Sequence, residues 1–416
     1  MKKSYQIVIV GGGTGGIMTA AQLLKKNNRL EIAIIEPSND HYYQPAWTLV
    51  GAGTFNFSKT RKDMAAVMPK GVTWIKDKVS SLEPEENSLT TAQNGSITYD
   101  YLVLSPGLVY DLDGIEGLRD SLDKGVVCSN YTNPNHTWEV IKNFKGGNAV
   151  FTQPTTPIKC GGAPQKIAYL AADYFRKNKI KNTNVVFATP GSVIFGVPEF
   201  AKTLMKVIFN YGIHFKPFYA PVKIDGNNKL VHFKSVAPES NDCIINEGNV
   251  LNETQQGESE IIMPFDMLHL APPQCAPDFI KKSSLVNEAK WLEVDVNSLQ
   301  HKKHKNVFGL GDVAALPTAK TGAAIRKQAP VVVDNILNMI ATNSIGNEKY
   351  EGYSSCPLVT GYGKMVLAEF KYNNVRDSDP FLSKFVDTTK ENWSMWILKK
   401  YGLPYLYWKK MLKGKM

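Results

Sequence analysis

Apolar and polar positions at the start of the chain follow the periods of a βαβ unit. Residues 5–10 are mostly apolar and β-branched, which is typical of a buried strand. Residues 17–26 carry apolar side chains at helical spacing, and residues 30–35 form a second apolar run that ends at Glu36. Glycines separate the first run from the second, so the pattern predicts strand, tight turn, helix and strand in that order.

The glycines of this turn fit the spacing G-x-G-x-x-G of dinucleotide-binding units. Gly11 allows the tight turn, Gly13 lets the backbone approach a pyrophosphate, and Gly16 lets helix and strand pack closely. The helix N-terminus supplies unpaired N–H groups for the phosphates. Glu36 can accept hydrogen bonds from a ribose, and its charge disfavours a 2′-phosphate. A glycine-rich turn without a ligand is the simpler interpretation, but the complete strand, helix and acid context favours dinucleotide binding.

Apolar runs further along the chain predict more strands and helices. Residues 71–79 and 96–99 predict strands of a small sheet, and residues 99–107 predict a buried strand. Residues 226–260 are polar and predict an exposed hairpin region, whereas residues 267–273 predict a buried strand and turn. Strands and helices of a second α/β region are predicted at residues 149–152, 167–175, 184–188 and 200–209.

The run N-V-F-G-L-G-D-V at residues 306–313 predicts another buried strand, followed by a helix from about Ala323. Together with the turn at residues 105–107, it resembles the FAD signatures of flavoproteins with two dinucleotide-binding domains. The resemblance implies that Asp312 contacts the ribityl chain and that the helix N-terminus faces the flavin pyrimidine. In this part of the site the expected cofactor residues are Val79, Gly107, Gly311, Asp312 and Lys320.

The predicted strand at residues 184–188 does not lead into a second dinucleotide fingerprint. It continues as T-P-G-S-V-I-F-G, in which only Gly191 and Gly196 are present and their spacing differs from G-x-G-x-x-G. This difference counts against NAD(P)H as a substrate. Residues 37–60 contain no cysteine, so the C-x4-C pair of glutathione-reductase-type enzymes is absent from its usual place.

Length and composition favour a globular protein of two or three domains. The chain has 416 residues and lacks any run of 18 apolar residues, so we expect no membrane-spanning helix. Because the first strand starts at residue 5, we expect no signal or transit peptide. Five cysteines form no CxxC pair and seven histidines show no ligand spacing, so we expect neither a disulfide-rich scaffold nor a metal site.

Positive charge is concentrated near the C-terminus. The formal net charge is +10, and residues 390–416 hold seven lysines and one glutamate. Basic and aromatic residues together are one mark of nucleic-acid binding. Here the aromatic residues recur at helical spacing on two short segments separated by Gly402 and Pro404, which favours an anchor at a membrane surface and no nucleic-acid partner. A dimer contact or a solvated tail is the simpler alternative. The aromatic residues are Trp393, Trp396, Tyr401, Tyr405, Tyr407 and Trp408.

Two stretches resemble the redox cysteine motifs of sulfide:quinone oxidoreductases. They are P-I-K-C-G-G-A-P-Q-K-I at residues 157–167 and Y-S-S-C-P-L-V-T-G-Y at residues 353–362. The similarity is greatest to the branch that includes the animal mitochondrial enzyme, and it extends to residues 308–321 and to S-M-W-I-L-K near residue 394. The resemblance covers nearly the whole chain, from residue 5 to about residue 413.

The resemblance implies an α/β fold with two Rossmann-like domains of the FAD/NAD(P)-binding, glutathione-reductase-like type and a C-terminal amphipathic segment that anchors to a membrane. The FAD-binding domain is expected at residues 1–115 and 296–345, and the second Rossmann-like domain, without an NAD fingerprint, at residues 116–295. Residues 346–416 are expected to contact quinone and membrane. Because we expect no transit peptide, a peripheral protein of the bacterial cytoplasmic membrane is favoured over one of the mitochondrial inner membrane.

The implied activity is FAD-dependent oxidation of hydrogen sulfide through a redox disulfide between Cys160 and Cys356. Two electrons pass to a membrane quinone, and the sulfane sulfur passes to a small acceptor, which is a thiol, sulfite or sulfide. The residues themselves agree, because Cys160 precedes a predicted helix and has Lys159 and Lys166 nearby, which should lower its pKa. Lys166 and Lys399 are candidates for contact with substrate or quinone.

Two features depart from the family pattern. Residues 323–330 carry charges where the family usually has small residues. Cys128 lies near the place where many bacterial relatives have a third cysteine, so it is a possible third redox sulfur. For Cys243 and Cys275 a structural role is expected, because unpaired cysteines are commonly buried.

Two other functions remain open at this point. A type II NADH:quinone dehydrogenase is also a flavoprotein that reduces quinone, but it needs the second fingerprint that this chain lacks. A non-catalytic scaffold with a flavin-binding fold would not need two embedded cysteine motifs.

Overall fold

The computed structural model describes residues 2–238, 248–257 and 259–416, and its first part contains the βαβ unit. The helices of this part are α1 (Thr14–Lys26), α2 (Trp47–Val50) and α3 (Met64–Val67). Its strands are β1 (Ser4–Val10), β2 (Ile32–Ile35), β3 (Asp40–Tyr42), β4 (Arg61–Asp63), β5 (Thr73–Ile75), β6 (Val79–Glu83), β7 (Ser88–Thr91), β8 (Gly95–Leu104) and β9 (Val109–Tyr110).

The second part supplies another α/β layer and an antiparallel sheet. Its helices are α4 (Leu118–Ser121), α5 (Pro134–Asn143), α6 (Ala163–Lys177), α7 (Pro198–Tyr211), α8 (Gly248–Leu251) and α9 (Asp278–Lys281). Its strands are β10 (Val127–Cys128), β11 (Gly147–Thr152), β12 (Thr183–Thr189), β13 (His214–Pro217), β14 (Tyr219–Asp225), β15 (Leu230–Ser235), β16 (Thr254–Gln256), β17 (Glu260–Pro264), β18 (Met267–Leu270) and β19 (Gln274–Cys275).

The last part returns to the first sheet and then forms a hairpin and a helical C-terminus. Its helices are α10 (Gly322–Thr342), α11 (Trp393–Ile397) and α12 (Leu403–Lys409), and its strands are β20 (Val307–Gly309), β21 (Ser354–Gly361), β22 (Lys364–Lys371) and β23 (Val375–Arg376). Short 3₁₀ helices lie at Gln44–Ala46, Phe57–Thr60, Pro84–Glu86, Gly311–Val313, Tyr372–Asn374, Leu382–Lys384 and Met411–Lys413.

The first sheet brings distant parts of the chain to one edge. Its order is β5-β2-β1-β8-β7-β6, and β20 also pairs with β8. Strands β5, β2, β1, β8 and β20 are parallel, whereas β7 and β6 are antiparallel. Parallel strands are buried on both faces, which explains the continuous apolar runs. Because carboxyl ends of parallel strands share an edge, the turn after β1 and the turn after β20 lie at the same edge, with the end of β8 between them.

The second sheet has the order β10-β18-β11-β12-β13, and all its pairs are parallel. Helix α6 connects β11 to β12, and α7 connects β12 to β13. The region predicted as an exposed hairpin contributes to a four-stranded antiparallel sheet, with the order β14-β15-β17-β16. Cys243 lies outside the described residues.

The small sheet that the sequence predicted is not a separate sheet. The strands predicted at residues 71–79 and 96–99 belong to the first sheet, where β5 pairs with β2. Residues 95–104 form one long strand, β8, rather than two. The first half of β8 pairs with β7, and its second half pairs with β20. The exposure of its side chains therefore changes along the strand, and the pattern of apolar residues changes in the middle.

The C-terminal helices α11 and α12 form one continuous helical segment instead of two separate ones. The predicted break at Gly402 and Pro404 is wrong, because a π-helical turn at Leu398–Gly402 joins α11 to α12. The N–H of Leu403 bonds to the carbonyl of Leu398, five residues earlier. This wider turn accommodates Pro404, which has no N–H to donate.

The aromatic residues of the C-terminal segment are divided between core and surface. Trp396, Tyr407 and Trp408 are buried, so the expectation that all six lie at a membrane surface is wrong for these three. They pack in the cores because α11 and α12 lie against the rest of the protein. Trp393, Tyr401 and Tyr405 are exposed. No helix in the described ranges is both long and apolar enough to cross a membrane.

The β21–β22 hairpin is fastened to α6 by a buried carboxylate. Asp173 is 2% exposed, and its Oδ2 accepts the N–H of Tyr362 at 2.8 Å and the Nζ of Lys177 at 2.9 Å. Charge-assisted hydrogen bonds in a buried position are stronger than neutral ones at the surface. Asp173 therefore fixes the turn of the hairpin relative to the helix.

Replacing Asp173 with Ala should lower the free energy of unfolding by about 2 kcal/mol, because the N–H of Tyr362 loses its partner in a buried place. Urea unfolding followed by circular dichroism measures this change. Asp278→Ala is the control, since it removes an i,i+3 pair with Lys281 from a side chain that is 72% exposed, and it should leave the free energy of unfolding nearly unchanged. Equal effects in the two variants would contradict the role given to Asp173.

Candidate active site

The glycine-rich turn after β1 borders a cavity of about 680 Å³. A Cβ at Gly11 would lie 2.4 Å from the carbonyl oxygen of Ser105, and one at Gly16 would lie 2.0 Å from that of Gly11. Both positions therefore exclude any side chain. Gly13 instead has no described atom within 4 Å of its Cβ position and lines the cavity, so its backbone is open to a ligand.

Glu36 lies beside this turn and also lines the cavity. Its Oε2 accepts the N–H of Gly12 at 2.7 Å, and its Oε1 accepts the N–H of Ser38 at 2.7 Å. Gly107 lines the cavity with open space around it. Val79 is buried in β6 among core side chains and is not among the residues that line the cavity.

The turn after β20 places Gly311 and Asp312 at the same cavity. Burial raises the pKa of the Asp312 carboxyl, against the opposing effect of Lys159 and Lys320. The Nζ of Lys320 donates to the carbonyl oxygens of Asp312 at 2.7 Å and Ala314 at 2.9 Å. Burial lowers the pKa of Lys320 to about 8, and the nearby Asp312 partly offsets this.

These features fit a dinucleotide. Gly13 and Gly107 offer open backbone, the N-terminus of α1 points to the cavity, and Glu36 and Asp312 supply carboxylates at separate places on the same wall. A side chain at Gly13 would enter the space that the phosphates need. The cavity thus joins the two turns that the sequence motifs single out.

Cys160 precedes α6 in an unusual backbone conformation. Its φ is +52°, a region that non-glycine residues seldom adopt and that is often found at functional sites. Hydrogen bonds hold this conformation: its N–H donates to the carbonyl of Lys320 at 2.6 Å, and its carbonyl accepts from the hydroxyl of Tyr131 at 3.2 Å and the N–H of Ala163 at 2.7 Å. The backbone of Cys160 is therefore held by two distant segments and by the start of α6.

Cys356 lies on β21, with its sulfur next to the start of α6. A Cβ at Gly162 would lie 3.8 Å from this sulfur and 2.5 Å from a methyl carbon of Leu358, so the small residue lets strand and helix approach. The nearby backbone N–H of Gly162 acts to lower the pKa of Cys356, against larger effects that raise it. Cys160 packs against the core cluster that contains Cys356, each cysteine shifts the pKa of the other, and both are free thiols in the structure.

The two sulfurs have opposite electrostatic environments. A hydrogen bond from Cys356 and the charges of Lys166 and Lys399 hold the pKa of Cys160 well below its usual value, although burial opposes them. The Nζ of Lys166 lies 2.9 Å from the Cys160 sulfur. The hydrogen bond to Cys160 and burial raise the pKa of Cys356. Cys160 is thus the thiolate of the pair and Cys356 the thiol.

Lys399 reaches this pair from the C-terminal segment. It is buried, and its Nζ donates to the carbonyl of Pro45 at 2.8 Å. Burial and the charge of Lys166 lower its pKa to about 7, while Cys160 and Cys356 act in the opposite direction. For Lys166 the two sulfurs overcome the effect of burial and raise the pKa. Near neutral pH Lys399 can therefore gain or lose a proton.

The other described cysteines lie in different surroundings. Cys128 is completely buried in β10, and burial raises its pKa despite a hydrogen bond with Thr137. Its complete burial and raised pKa favour a structural role over that of a third redox sulfur. Cys275 is in β19, where Lys281 contacts its sulfur at 3.7 Å.

Several polar residues of the cavity were not singled out by the sequence motifs. Arg326 donates to the hydroxyl of Tyr353 at 2.8 Å, and that hydroxyl donates to Oε1 of Glu369 at 2.6 Å. The N–H of Asp379 donates to the other oxygen of Glu369 at 2.9 Å. Arg326 belongs to the charged run at residues 323–330 that departs from the family pattern. That run was the one sequence signal for the group of Arg326, Tyr353 and Glu369. Other cavity residues without such a signal are Thr14, His41 and Tyr131, whereas Tyr407 had been named only as an aromatic residue of the expected membrane surface.

Comparison with known proteins agrees with this geometry. The pyridine nucleotide-disulphide oxidoreductase family model matches residues 5–331. The chain is 43% identical to a mitochondrial sulfide:quinone oxidoreductase of Dictyostelium discoideum, over all of this chain and 87% of the relative. It is 39% identical to the mitochondrial sulfide:quinone oxidoreductase of Mus musculus, over 99% of this chain and 87% of the relative.

A solved structure has the same fold. The sulfide:quinone oxidoreductase of Aquifex aeolicus aligns with a TM-score of 0.77 and 20% identity, over 99% of this chain and 92% of that one. The two-domain Rossmann-type architecture expected from the sequence is therefore confirmed. With relatives of about 40% identity along almost its entire length, the chain belongs to the sulfide:quinone oxidoreductases within the pyridine nucleotide-disulphide oxidoreductase family.

Proposed function

We propose that this protein is a sulfide:quinone oxidoreductase that oxidises hydrogen sulfide and passes two electrons through FAD to a membrane quinone. The names of its near-full-length relatives support the activity. The observation that carries the proposal is the juxtaposition of Cys160 and Cys356, with Cys160 and Lys166 at the wall of the dinucleotide cavity and the Nζ of Lys166 2.9 Å from the Cys160 sulfur. A small thiol, sulfite or sulfide accepts the sulfane sulfur.

The two turns at the carboxyl edge of the first sheet would hold FAD. The N-terminus of α1 and Gly13 would receive the pyrophosphate, Glu36 the adenosine ribose, and Asp312 the ribityl chain. The buried Lys320 and the N-terminus of α10 favour negative charge on the nearby flavin ring. Bound FAD supplies a two-electron carrier between the cysteine pair and the quinone.

The unequal sulfurs determine which one is attacked. Starting from the disulfide, hydrosulfide attacks the sulfur of Cys356, the S–S bond breaks, and its electron pair leaves on Cys160. Lys166 and the start of α6 stabilise the departing thiolate, and a thiol of low pKa is the better leaving group. The products are a persulfide on Cys356 and a thiolate on Cys160.

Completion of the cycle removes the outer sulfur and two electrons. A nucleophilic acceptor takes the outer sulfur from the persulfide and leaves Cys356 as a thiolate. Withdrawal of two electrons from the two thiolates re-forms the disulfide, and the quinone gains these electrons with two protons. Lys399, whose pKa is close to neutrality, holds a proton next to the pair and next to the C-terminal wall of the cavity.

The quinone enters from the C-terminal side. Apolar side chains from this region line the cavity there: Leu382, Leu398, Leu403 and Leu406. Phe381 and Phe385 flank Leu382 in sequence, are 67% and 73% exposed, and have ring centroids 5.3 Å apart. An exposed aromatic pair beside the lining of a cavity is suited to the interface of a bilayer, and nearby lysines add attraction to anionic lipid.

The NADH dehydrogenase alternative receives less support. The connection between β12 and α7 extends from residue 190 to residue 197, and α7 begins at Pro198 rather than directly after a glycine turn. Gly196 packs against Asn374, which would be 3.0 Å from its Cβ position, so its small size serves packing. A non-catalytic scaffold would not need Lys166 against a cysteine sulfur.

Anaerobic titration with sulfide should bleach the flavin of the wild-type protein, and extraction should return FAD. Cys160→Ser and Cys356→Ser should each abolish sulfide-dependent quinone reduction while the flavin stays bound, because both sulfurs take part in the exchange. Cys275→Ser is the control and should be nearly as active as wild type. Normal turnover in Cys160→Ser, or faster bleaching by NADH than by sulfide, would overturn the proposal.

Lys166→Met should raise the pKa of Cys160, because it removes the positive charge that lies 2.9 Å from its sulfur. Only the thiolate is alkylated, so the rate for reduced wild-type protein should reach its plateau at low pH. In the variant the rate should rise at a higher pH. Iodoacetamide labelling of Cys160 across pH 4 to 9, read by mass spectrometry, measures this, with the exposed Lys202→Met as control. An unshifted profile would show that Lys166 does not stabilise the thiolate.

The surface contribution of the aromatic pair can be measured without deleting core residues. The double variant Phe381→Ser, Phe385→Ser should bind anionic vesicles at least about tenfold more weakly, since each ring loses apolar burial in the interface. Phe209→Ser, on a side chain that is 86% exposed on α7, should leave binding unchanged. High salt should release only part of the wild-type protein. Equal sedimentation of the double variant and wild type would place the membrane contact elsewhere.

A further inference from the structure

The C-terminal helix α12 contacts the glycine-rich turn at the opposite end of the chain. The hydroxyl oxygen of Tyr407 lies 2.8 Å from Oγ1 of Thr14 and 2.5 Å from Nε2 of His41. Nδ1 of His41 lies 3.0 Å from the carbonyl oxygen of Gly12. Gly12, Thr14, His41 and Tyr407 all line the dinucleotide cavity. None of these contacts is needed to form the βαβ unit itself.

The direction of each hydrogen bond follows from the chemistry of the groups. Burial lowers the pKa of His41 to about 4, although the bond with Gly12 favours the charged form, so the ring is neutral near pH 7. A carbonyl can only accept, so Nδ1 of His41 carries the proton and Nε2 is an acceptor. Tyr407 must then donate to Nε2, and its oxygen accepts the hydroxyl proton of Thr14. The chain of donors runs from Thr14 through Tyr407 to His41, while His41 donates separately to Gly12.

Further contacts fasten the same segment along α1. Nε2 of Gln22 donates to the carbonyl of Met416 at 2.7 Å, and a Cβ at Gly414 would lie 3.0 Å from the backbone of Ala21 and Gln22. The Tyr407 ring packs on Tyr43, with centroids 4.6 Å apart. Residues 403–416 thus lie against the helix whose N-terminus receives the phosphates.

We propose that Tyr407 is a positioning residue for the flavin, and that residues 403–416 form a C-terminal lock over the glycine-rich turn. By holding Gly12 and Thr14, the lock keeps the turn in the conformation that binds the pyrophosphate and restricts release of the flavin. This inference rests on the flavin proposed above. Because coupling between two events is reciprocal, bound flavin must in turn stabilise the docked C-terminal segment.

Because of these contacts, the C-terminal segment is not a membrane anchor that could be removed without affecting the cofactor site. Its outward face carries the exposed Tyr405, and its inward face carries Tyr407 and Trp408. The same short helix therefore faces both the surface and the cofactor turn. Removal of residues 390–416 would strip both functions at once, so single substitutions are required to separate them.

Tyr407→Phe should raise the dissociation constant of FAD about tenfold, because it leaves Nε2 of His41 and the hydroxyl of Thr14 without their partner. The measurement is quenching of FAD fluorescence as FAD is titrated into protein stripped of flavin, without sulfide or quinone. Tyr372→Phe is the matched control, since it also removes a tyrosine hydroxyl that donates a hydrogen bond. The acceptor there is the carbonyl of Val296 at 2.7 Å, and Tyr372 does not line the cavity. It should leave the dissociation constant unchanged.

A double-mutant cycle tests whether the effect passes through Thr14. In a Thr14→Val background, Tyr407→Phe should weaken FAD binding by clearly less than the factor seen in wild type, because one of its two bonds is already missing. If Tyr407→Phe protein does not accumulate in folded form, Thr14→Val alone should still weaken binding severalfold. Hydrogen exchange should be faster in residues 403–416 of the stripped protein than in the flavin-bound protein.

Two results would overturn the lock. The first is an FAD dissociation constant for Tyr407→Phe equal to that of wild type, together with unchanged hydrogen exchange in residues 403–416 on flavin removal. In that case the proposed activity would stand. The second is purified wild-type protein that neither contains nor rebinds flavin, which would overturn the proposed function as well.

Discussion

The buried contact between Lys166 and the Cys160 sulfur is the constraint on which the site depends. An ammonium group that is almost fully buried costs several kcal/mol of desolvation unless an opposite charge and good hydrogen bonds accompany it. The thiolate of Cys160 supplies that charge at 2.9 Å, and the Cys356 thiol adds a hydrogen bond. Each group thereby stabilises the charged form of the other, and the two cysteines become chemically unequal.

The surrounding fold serves to hold this contact. Three segments fix the backbone of Cys160, and the absence of a side chain at Gly162 lets β21 approach the start of α6. Asp173 then fixes the other end of the same helix to the turn of the hairpin. Because both cysteines are positioned by these contacts, displacement of the hairpin would separate the sulfurs without altering either residue.

The C-terminal segment combines tasks that the sequence suggested were separate. It supplies Lys399 to the cysteine pair, apolar side chains to the cavity wall, and Tyr407 to the glycine-rich turn. The π-helical turn at Leu398–Gly402 makes this possible, since it keeps α11 and α12 on one path and buries Lys399. A helix that ended at Gly402 could not deliver both Lys399 and Tyr407 inward.

Local periodicity and motifs of fixed spacing were enough to predict the βαβ unit, the second α/β layer and the family. Glycines 11, 13 and 16 could be assigned roles, since close approach leaves a direct mark on residue type. Three features could not be predicted, because they depend on tertiary packing. They are the juxtaposition of Cys160 and Cys356, the burial of three C-terminal aromatic residues, and the hydrogen bonds of Tyr407. They join residues far apart in the chain, and a tyrosine has the same local pattern whether its ring faces a membrane or its hydroxyl completes a buried hydrogen-bond chain.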